Sequence, residues 1–213
     1  MRWIAPALVA CAVLLLAPSP APASPDGPPG PWPPVKGQPY PPLVLKDHRG
    51  EEFDLASLRG KVVVIEPVGI SCPACQAYSG GGSKGGFRGV TPQKGLPSYE
   101  ELLREHAKLR PTARGLVFVQ LLLYDMSASK APTVDDARAW AEHFGLADAP
   151  NTHVLVGDAR YVNQASYDLI PGFQVLDRAG VLRADGTGHR PKDDPYRAVL
   201  GLIPALLAER APR

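Results

Sequence analysis

Lys61-Val62-Val63-Val64-Ile65-Glu66 leads through Pro67-Val68-Gly69-Ile70-Ser71 into Cys72-Pro73-Ala74-Cys75. The first part is a short apolar run rich in β-branched residues, which reads as a buried strand. A C-x-x-C just after a core strand, at the start of a helix, is the layout of a redox-active dithiol. Of the three cysteines in the chain, Cys11 lies in an N-terminal segment expected to be removed, so Cys72 and Cys75 are the mature pair. A structural zinc normally takes four Cys or His ligands, and no second cysteine pair exists to complete one. A purely structural bridge across two residues constrains little chain entropy. Redox chemistry is the expected use of the pair.

The chain has 213 residues, 45% hydrophobic and 21% charged, with a net charge of +2. This is the composition of a globular protein of about one domain. A nucleic-acid interface is not expected, because that needs a concentrated basic face. Arg2 precedes an apolar stretch from Trp3 to Ala17 and a small-residue region ending at Ala21-Pro22-Ala23. Residues 1–23 therefore read as a secretory signal peptide with Ser24 first in the mature chain; an uncleaved anchor is the alternative. Leu8-Val9-Ala10-Cys11 has the look of a lipidation site, but Val13-Leu14-Leu15-Leu16 continues the apolar run past it. A small apolar residue in the signal segment is the better reading of Cys11, and lipid anchoring stays the alternative. Export places the dithiol in an extracytoplasmic, periplasm-like compartment where disulfides persist.

Residues 24–42 are dominated by Pro and Gly, so they read as an extended linker that buries no core. The folded domain is expected over 43–213. Its first feature is a hairpin, Leu43–Asp47 and Glu51–Leu55, turning on His48-Arg49-Gly50. A short helical turn at Leu55–Leu58 and the strand ending at Glu66 come next. Residues 79–97 carry Gly80-Gly81-Gly82 and Gly85-Gly86, a density at which no ordinary helix survives, so they read as a flexible insertion. Ser98, with Glu101 three residues on, is a capping box for a helix Tyr99–Leu109. Leu116–Leu123 reads as a central strand. A helix starting at Thr133 or Asp135 has Ala137, Trp140, Ala141 and Phe144 on its apolar face, and Gly145 closes it. Thr152–Val156 is a strand, Phe173–Asp177 and Val181–Ala184 flank a second turn, and Tyr196–Glu209 is a final amphipathic helix. This order predicts an α/β fold, a mixed sheet with helices on both faces.

The order and motifs together resemble the thioredoxin fold, and more narrowly the exported TlpA-like and redoxin-type thiol–disulfide oxidoreductases. Three stretches carry the resemblance: Leu43–Val64 as the family's N-terminal hairpin and entry strand, Cys72–Cys75 as its dithiol, and Ile170-Pro171-Gly172-Phe173 through Gly180 as the cis-proline with its strand and hairpin. The chain departs from the pattern at Ser71, where the family usually has Trp, at Pro67-Val68, where an aromatic pair is usual, and in the Gly-rich stretch that interrupts one long helix.

The resemblance implies a chemistry. Cys72 is the expected nucleophile, its thiolate favoured by unpaired N–H groups and the dipole at a helix start. Cys75, one turn later, resolves the mixed disulfide. Glu66 stands where the family keeps a buried acid that moves protons to and from the resolving cysteine, and burial there raises a carboxyl's pKa. Pro171 is the expected cis-proline packed against the dithiol. Ile170, Pro73 and Ala74 are expected to meet the substrate. Pro73-Ala74 lacks the His of strong oxidants, which favours reduction or isomerisation. The implied partners are protein thiols and disulfides and a membrane thiol electron donor; a monomer without cofactor or metal is expected.

A copper-binding or copper-delivery module of the same fold is the alternative, with a histidine joining the two cysteines; those relatives usually space their cysteines by three residues. A non-catalytic adaptor with a relic dithiol is a third reading. The peroxiredoxin pattern is not met, because Gly69 and Ile65 stand where it has Thr or Ser and Pro. His48, His106, His143, His153 and His189 show no ligand spacing.

Overall fold

The computed structural model describes residues 27–126 and 129–210. The expected signal segment 1–23, with Cys11, lies outside the described residues.

Asp47 sets the first turn: its Oδ1 accepts the backbone N–H groups of Arg49 and Glu51 at 2.8 and 3.0 Å. This joins β1 (Val44–Asp47) to β2 (Glu52–Asp54) as the expected hairpin. The short helical turn Leu55–Leu58 follows, capped by Asp54. β3 (Val62–Gly69) is buried along its whole length. It runs parallel to β4 (Leu116–Tyr124), which runs parallel to β5 (Thr152–Val156). On its other side β3 pairs antiparallel with β6 (Gly172–Leu176), which pairs with β7 (Leu182–Thr187). β1 closes against β5, giving one seven-stranded mixed sheet in the order β2-β1-β5-β4-β3-β6-β7.

Helices cover both faces. α1 (Pro73–Tyr78), α2 (Gly81–Lys84) and α3 (Tyr99–Leu102) lie between β3 and β4. α4 (Val134–His143) connects β4 to β5, and α5 (Gln164–Tyr167) precedes β6. α6 (Ile203–Ala208) ends the described chain. Phe118 and Gln120, alternate residues of β4, share one face. There Tyr99 of α3 stacks on Phe118 with ring centroids 3.9 Å apart, and Trp140 of α4 reaches Gln120. The opposite face carries Ile65 and Gln174, register partners across β3 and β6. Tyr40 donates its hydroxyl to Gln174 there at 2.8 Å, and Trp32 donates its indole N–H to Ser166 of α5 at 3.0 Å.

Those last two contacts differ from the expectation of a spacer over residues 24–42. The described part is docked on the sheet: Pro34, Tyr40 and Pro41 are buried. Gly37 N–H donates to Leu182 O, Leu182 N–H to Gln38 O, and Tyr40 N–H to Gly180 O, at 2.8, 3.0 and 2.9 Å. Prolines forbid a regular ladder but leave their carbonyls and the intervening amides free to pair with an edge strand.

The Gly-rich stretch also differs. It holds the one-turn α2 and a 3₁₀ turn at Phe87–Gly89, and it packs inward through Phe87. Phe87 is buried against Trp140, with ring centroids 5.5 Å apart, and its backbone N–H and C=O both bond the Gln76 side chain, at 2.7 and 3.1 Å. Gly86 is required by close approach: a Cβ there would fall 1.7 Å from Val90 O. Long-range packing thus overrides the weak helix propensity of glycine.

Three boundaries move for local reasons. β3 continues past Glu66 through Pro67, because β6 pairs only with Val63–Ile65 and the missing proline N–H falls beyond that ladder. The helix expected over Tyr99–Leu109 keeps its Ser98 capping box, widens into a π turn over Leu103–Ala107 and stops at Lys108, which is left-handed at φ 57°. The final helix is broken into a π turn over Pro195–Val199, a 3₁₀ turn over Leu200–Leu202 and α6, since Gly201 and Pro204 interrupt it.

Candidate active site

β3 delivers the chain to the dithiol, and Cys72 caps the helix that follows. Cys72 has extended backbone angles, φ −78° and ψ 117°, with Pro73 at the first helical position. Its Sγ accepts the backbone N–H of Cys75 at 3.3 Å. Both cysteines are thiols; Cys72 is 5% exposed and Cys75 fully buried. The two sulfurs are therefore in different environments although one turn apart. The Cys75 thiol donating to Cys72 brings the Cys72 thiol down to about 7, helped by the N–H groups of Cys75 and Ala74 and opposed by burial. Cys75 moves the other way: burial raises its pKa, and the neighbouring Cys72 and Glu66 add to the rise.

Glu66 lies fully buried on β3, opposite Gln120 of β4 in the parallel register. Its Oε2 accepts from Gln120 Nε2 at 2.8 Å, while Oε1 is buried with no hydrogen-bond partner. Burial lifts its pKa well above the ordinary carboxylate range; the Gln120 bond lowers it and the Cys72 charge raises it further. Gln120 was not evident as a site residue, since a lone polar residue in an apolar strand reads as a register slip. Its place level with Glu66 comes from the register of β3 on β4, which no local stretch of sequence carries. Ser79 and Trp140 complete the group: Gln120 donates to Ser79 Oγ at 2.7 Å and accepts the Trp140 indole N–H at 2.8 Å.

The Ile170–Pro171 peptide is cis. Carrying the β3–β6 register outward from Ile65 and Gln174 sets Pro171 level with Val68, at the end of the sheet where β3 runs into the dithiol turn. Gly172 follows at φ 140°, and a Cβ there would fall 2.2 Å from Gly186 O, so β7 approaches too closely for a side chain. Ile170 is buried and its N–H donates to Tyr167 O at 3.0 Å. Pro73 is exposed and Ala74 buried.

Two further features border the dithiol. Ser71, standing where a Trp is usual, donates to Asp125 Oδ1 at the end of β4 at 3.2 Å. Met126 packs over Gly69, where a Cβ would meet its Sδ at 2.6 Å and the Cβ of Cys72 at 3.5 Å. The insertion reaches the same place, as Gln93 N–H donates to Pro73 O at 2.9 Å. Among the described residues no three His, Cys, Asp or Glu side chains gather as metal ligands.

No family model matches the chain, and no curated protein matches it in sequence. Solved structures do resemble it. A candidate protein disulfide isomerase from Bacteroides thetaiotaomicron is 15% identical, with 83% of this chain and 92% of that one covered at a TM-score of 0.52. BsSco, a member of the Sco family of cytochrome c oxidase assembly proteins, is 12% identical over 83% of this chain and 99% of its own, also at 0.52. A conserved protein from Geobacillus kaustophilus is 17% identical over 84% and 86%, again at 0.52. At such identities the likeness speaks for the fold. Together with the strand order and the hairpin β1–β2, it shows that this chain has a thioredoxin-like fold with its C-x-x-C at the end of a central strand.

Proposed function

We propose that the protein is a thiol–disulfide oxidoreductase acting on protein thiols and disulfides. The observation that carries this reading is the asymmetry of the pair: a helix-capping Cys72 with its thiol near 7, and a buried Cys75 held protonated. In the reductive direction the Cys72 thiolate attacks a substrate disulfide. A Cys72–substrate disulfide forms and the other substrate sulfur leaves as a thiolate. Cys75 then loses its proton to Glu66 and attacks Cys72 Sγ, releasing the second substrate thiolate. The substrate gains two electrons, the protein dithiol loses two and closes as a disulfide, and the released thiolates take up protons. The reverse sequence oxidises a substrate dithiol. Buried Glu66, with a raised pKa and a free lone pair at Oε1, suits the proton transfer.

In this reading Pro171 and the backbone of Ile170 would offer an edge to a substrate strand, with the exposed Pro73 next to the nucleophile. The Ile170 N–H is already engaged by Tyr167, so the strand meets an acceptor there. Residues 1–23 would carry the protein out of the cytoplasm, where a membrane thiol donor would keep the dithiol reduced. The copper alternative would use the same two sulfurs, with Glu66 the nearby carboxyl, but among the described residues no group of three His, Cys, Asp or Glu side chains is placed to hold a metal ion.

The decisive experiment is Cys75→Ser in the intact protein. It should accumulate proteins disulfide-linked to Cys72, released by reductant, and the wild type should reduce insulin disulfides. Absence of both adducts and reduction would sink the oxidoreductase reading, and stoichiometric copper bound through sulfur would replace it.

A further inference from the structure

Four elements meet at the amide of Gln120. It is fully buried on β4, level with Glu66 on β3. Its Oε1 accepts the indole N–H of Trp140 from α4 at 2.8 Å. An indole N–H is a donor only, so the amide oxygen must face it. That leaves the NH2 group facing two acceptors, Glu66 Oε2 at 2.8 Å and Ser79 Oγ at 2.7 Å. A flipped amide would set its oxygen against the carboxylate and its NH2 against the indole. Trp140 therefore locks the amide in the donating orientation. Ser79 spends its own hydroxyl proton on Cys75 O at 2.9 Å, so it accepts from Gln120 and passes the connection to the dithiol helix.

We infer that Gln120 is the positioning residue of the acid: it holds Glu66 by Oε2, confines the exchangeable proton to Oε1, and ties the carboxylate through Ser79 to the backbone of Cys75. The inference rests on the dithiol reading above, with Glu66 as its acid. The other groups facing Glu66 are Cys72, Cys75 and Tyr78 on the dithiol helix and Tyr99 on α3. None is a cation: Cys75 and the two tyrosines stay neutral near neutrality, and the Cys72 thiolate disfavours the carboxylate. The Gln120 N–H is the contact that favours it, because a hydrogen bond given to the charged form stabilises that form. Without it Glu66 would hold its proton to higher pH and would accept the Cys75 proton more slowly near neutrality.

The test begins on the wild type. Glu66, assigned by its loss in Glu66→Gln, is titrated through the carbon-13 shift of its carboxyl, with the two Gln120 side-chain amide protons followed in parallel. One of the two should move with the Glu66 titration and the other should not. In Gln120→Met the Glu66 midpoint should rise by about one to two pH units, and the pH profile of the resolving step should move with it. Gln120→Glu keeps the shape of the side chain and its contact with Trp140; there too Glu66 should ionise at higher pH, since two carboxyls share the site. Wild-type amide protons indifferent to Glu66, or an unmoved midpoint in a folded variant, would overturn the inference. The carbon-13 and amide-proton readouts need no exchange activity; only the pH profile of the resolving step does. A coupled Glu66 and Gln120 with neither mixed disulfides in Cys75→Ser nor insulin reduction by the wild type would leave the positioning standing and remove the oxidoreductase reading; mixed disulfides without coupling would do the reverse.

Discussion

Cys72 and Cys75 are separated by one helical turn and by a large difference in acidity. The sulfur at the cap takes N–H groups that the helix leaves unpaired, and the sulfur one turn in has lost its water. Alkylation should therefore be selective. A small haloacetamide added to the reduced protein should modify Cys72 with a pH midpoint of about 7 and leave Cys75 unmodified at neutral pH, as peptide mapping would show. A midpoint near 8.5, the value of an ordinary thiol, would remove the Cys75 thiol and the cap N–H groups as the cause. Glu66 makes a second prediction, with a definite sign. Its folded-state pKa lies above the unfolded value, so the folded protein holds the proton that the unfolded chain releases. Its contribution favours folding at acid pH and is lost as pH climbs from the unfolded value through the folded one. Glu66→Gln should abolish that slope: the variant gains stability relative to wild type at alkaline pH and gains less in acid. The same variant should slow the resolving step by about 100-fold, the size of a general acid–base contribution. Denaturant melts across pH, with single-turnover kinetics, measure both.

At the scale of elements, the insertion is a brace between the dithiol helix and α4. Gln76 grips the backbone of Phe87 from α1, and the Phe87 ring fills the space beside Trp140 and Phe144. Lys84 adds a bond to Phe144 O, and exposed Arg88 pairs at 2.6 Å with buried Asp136, whose carboxylate also accepts the N–H and hydroxyl of Thr133, so losing the solvent-facing arginine costs little. The ring is the main contributor. Phe87→Ala should cost about 3–5 kcal/mol in equilibrium unfolding, the range for emptying a buried aromatic site. Arg88→Ala should stay within about 1 kcal/mol. Equal effects of the two would mean that the insertion is held by charge and not by packing.

Among the described residues there is one sheet, whose edge at β7 is met by residues 37–40 and whose β6 face is covered by Tyr40, while Trp32 bonds α5. The Pro-rich segment therefore belongs to the cooperative unit. Removing residues 1–42 should lower the thermal midpoint by about 5 °C or more, since each kcal/mol lost moves a domain of this size by a few degrees. Circular dichroism melts of the two forms decide it, and an unchanged midpoint would make the segment the detached spacer that its composition suggests.

Composition and local pattern were sufficient for the strands, the capping box at Ser98, the turn at Asp47 and the dithiol at a helix start, because each depends on residues within a few positions of one another. The sequence by itself also determined that Cys72, Cys75, Glu66 and Pro171 merit attention, through spacing and a resemblance carried by short motifs. Only the tertiary structure decided what surrounds them. Gln120 is 54 residues from Glu66, Trp140 a further 20 along, and Phe87 meets α4 across more than 50 residues, so no window of sequence holds these contacts together. The same holds for the arm, where proline content argues for an extended chain, while the described part bends and turns, and the edge of β7, about 140 residues away, decides whether it is free or docked. Local conformation follows from local residues; burial, and with it the acidity of Glu66 and the two cysteines, follows from which distant surfaces come together.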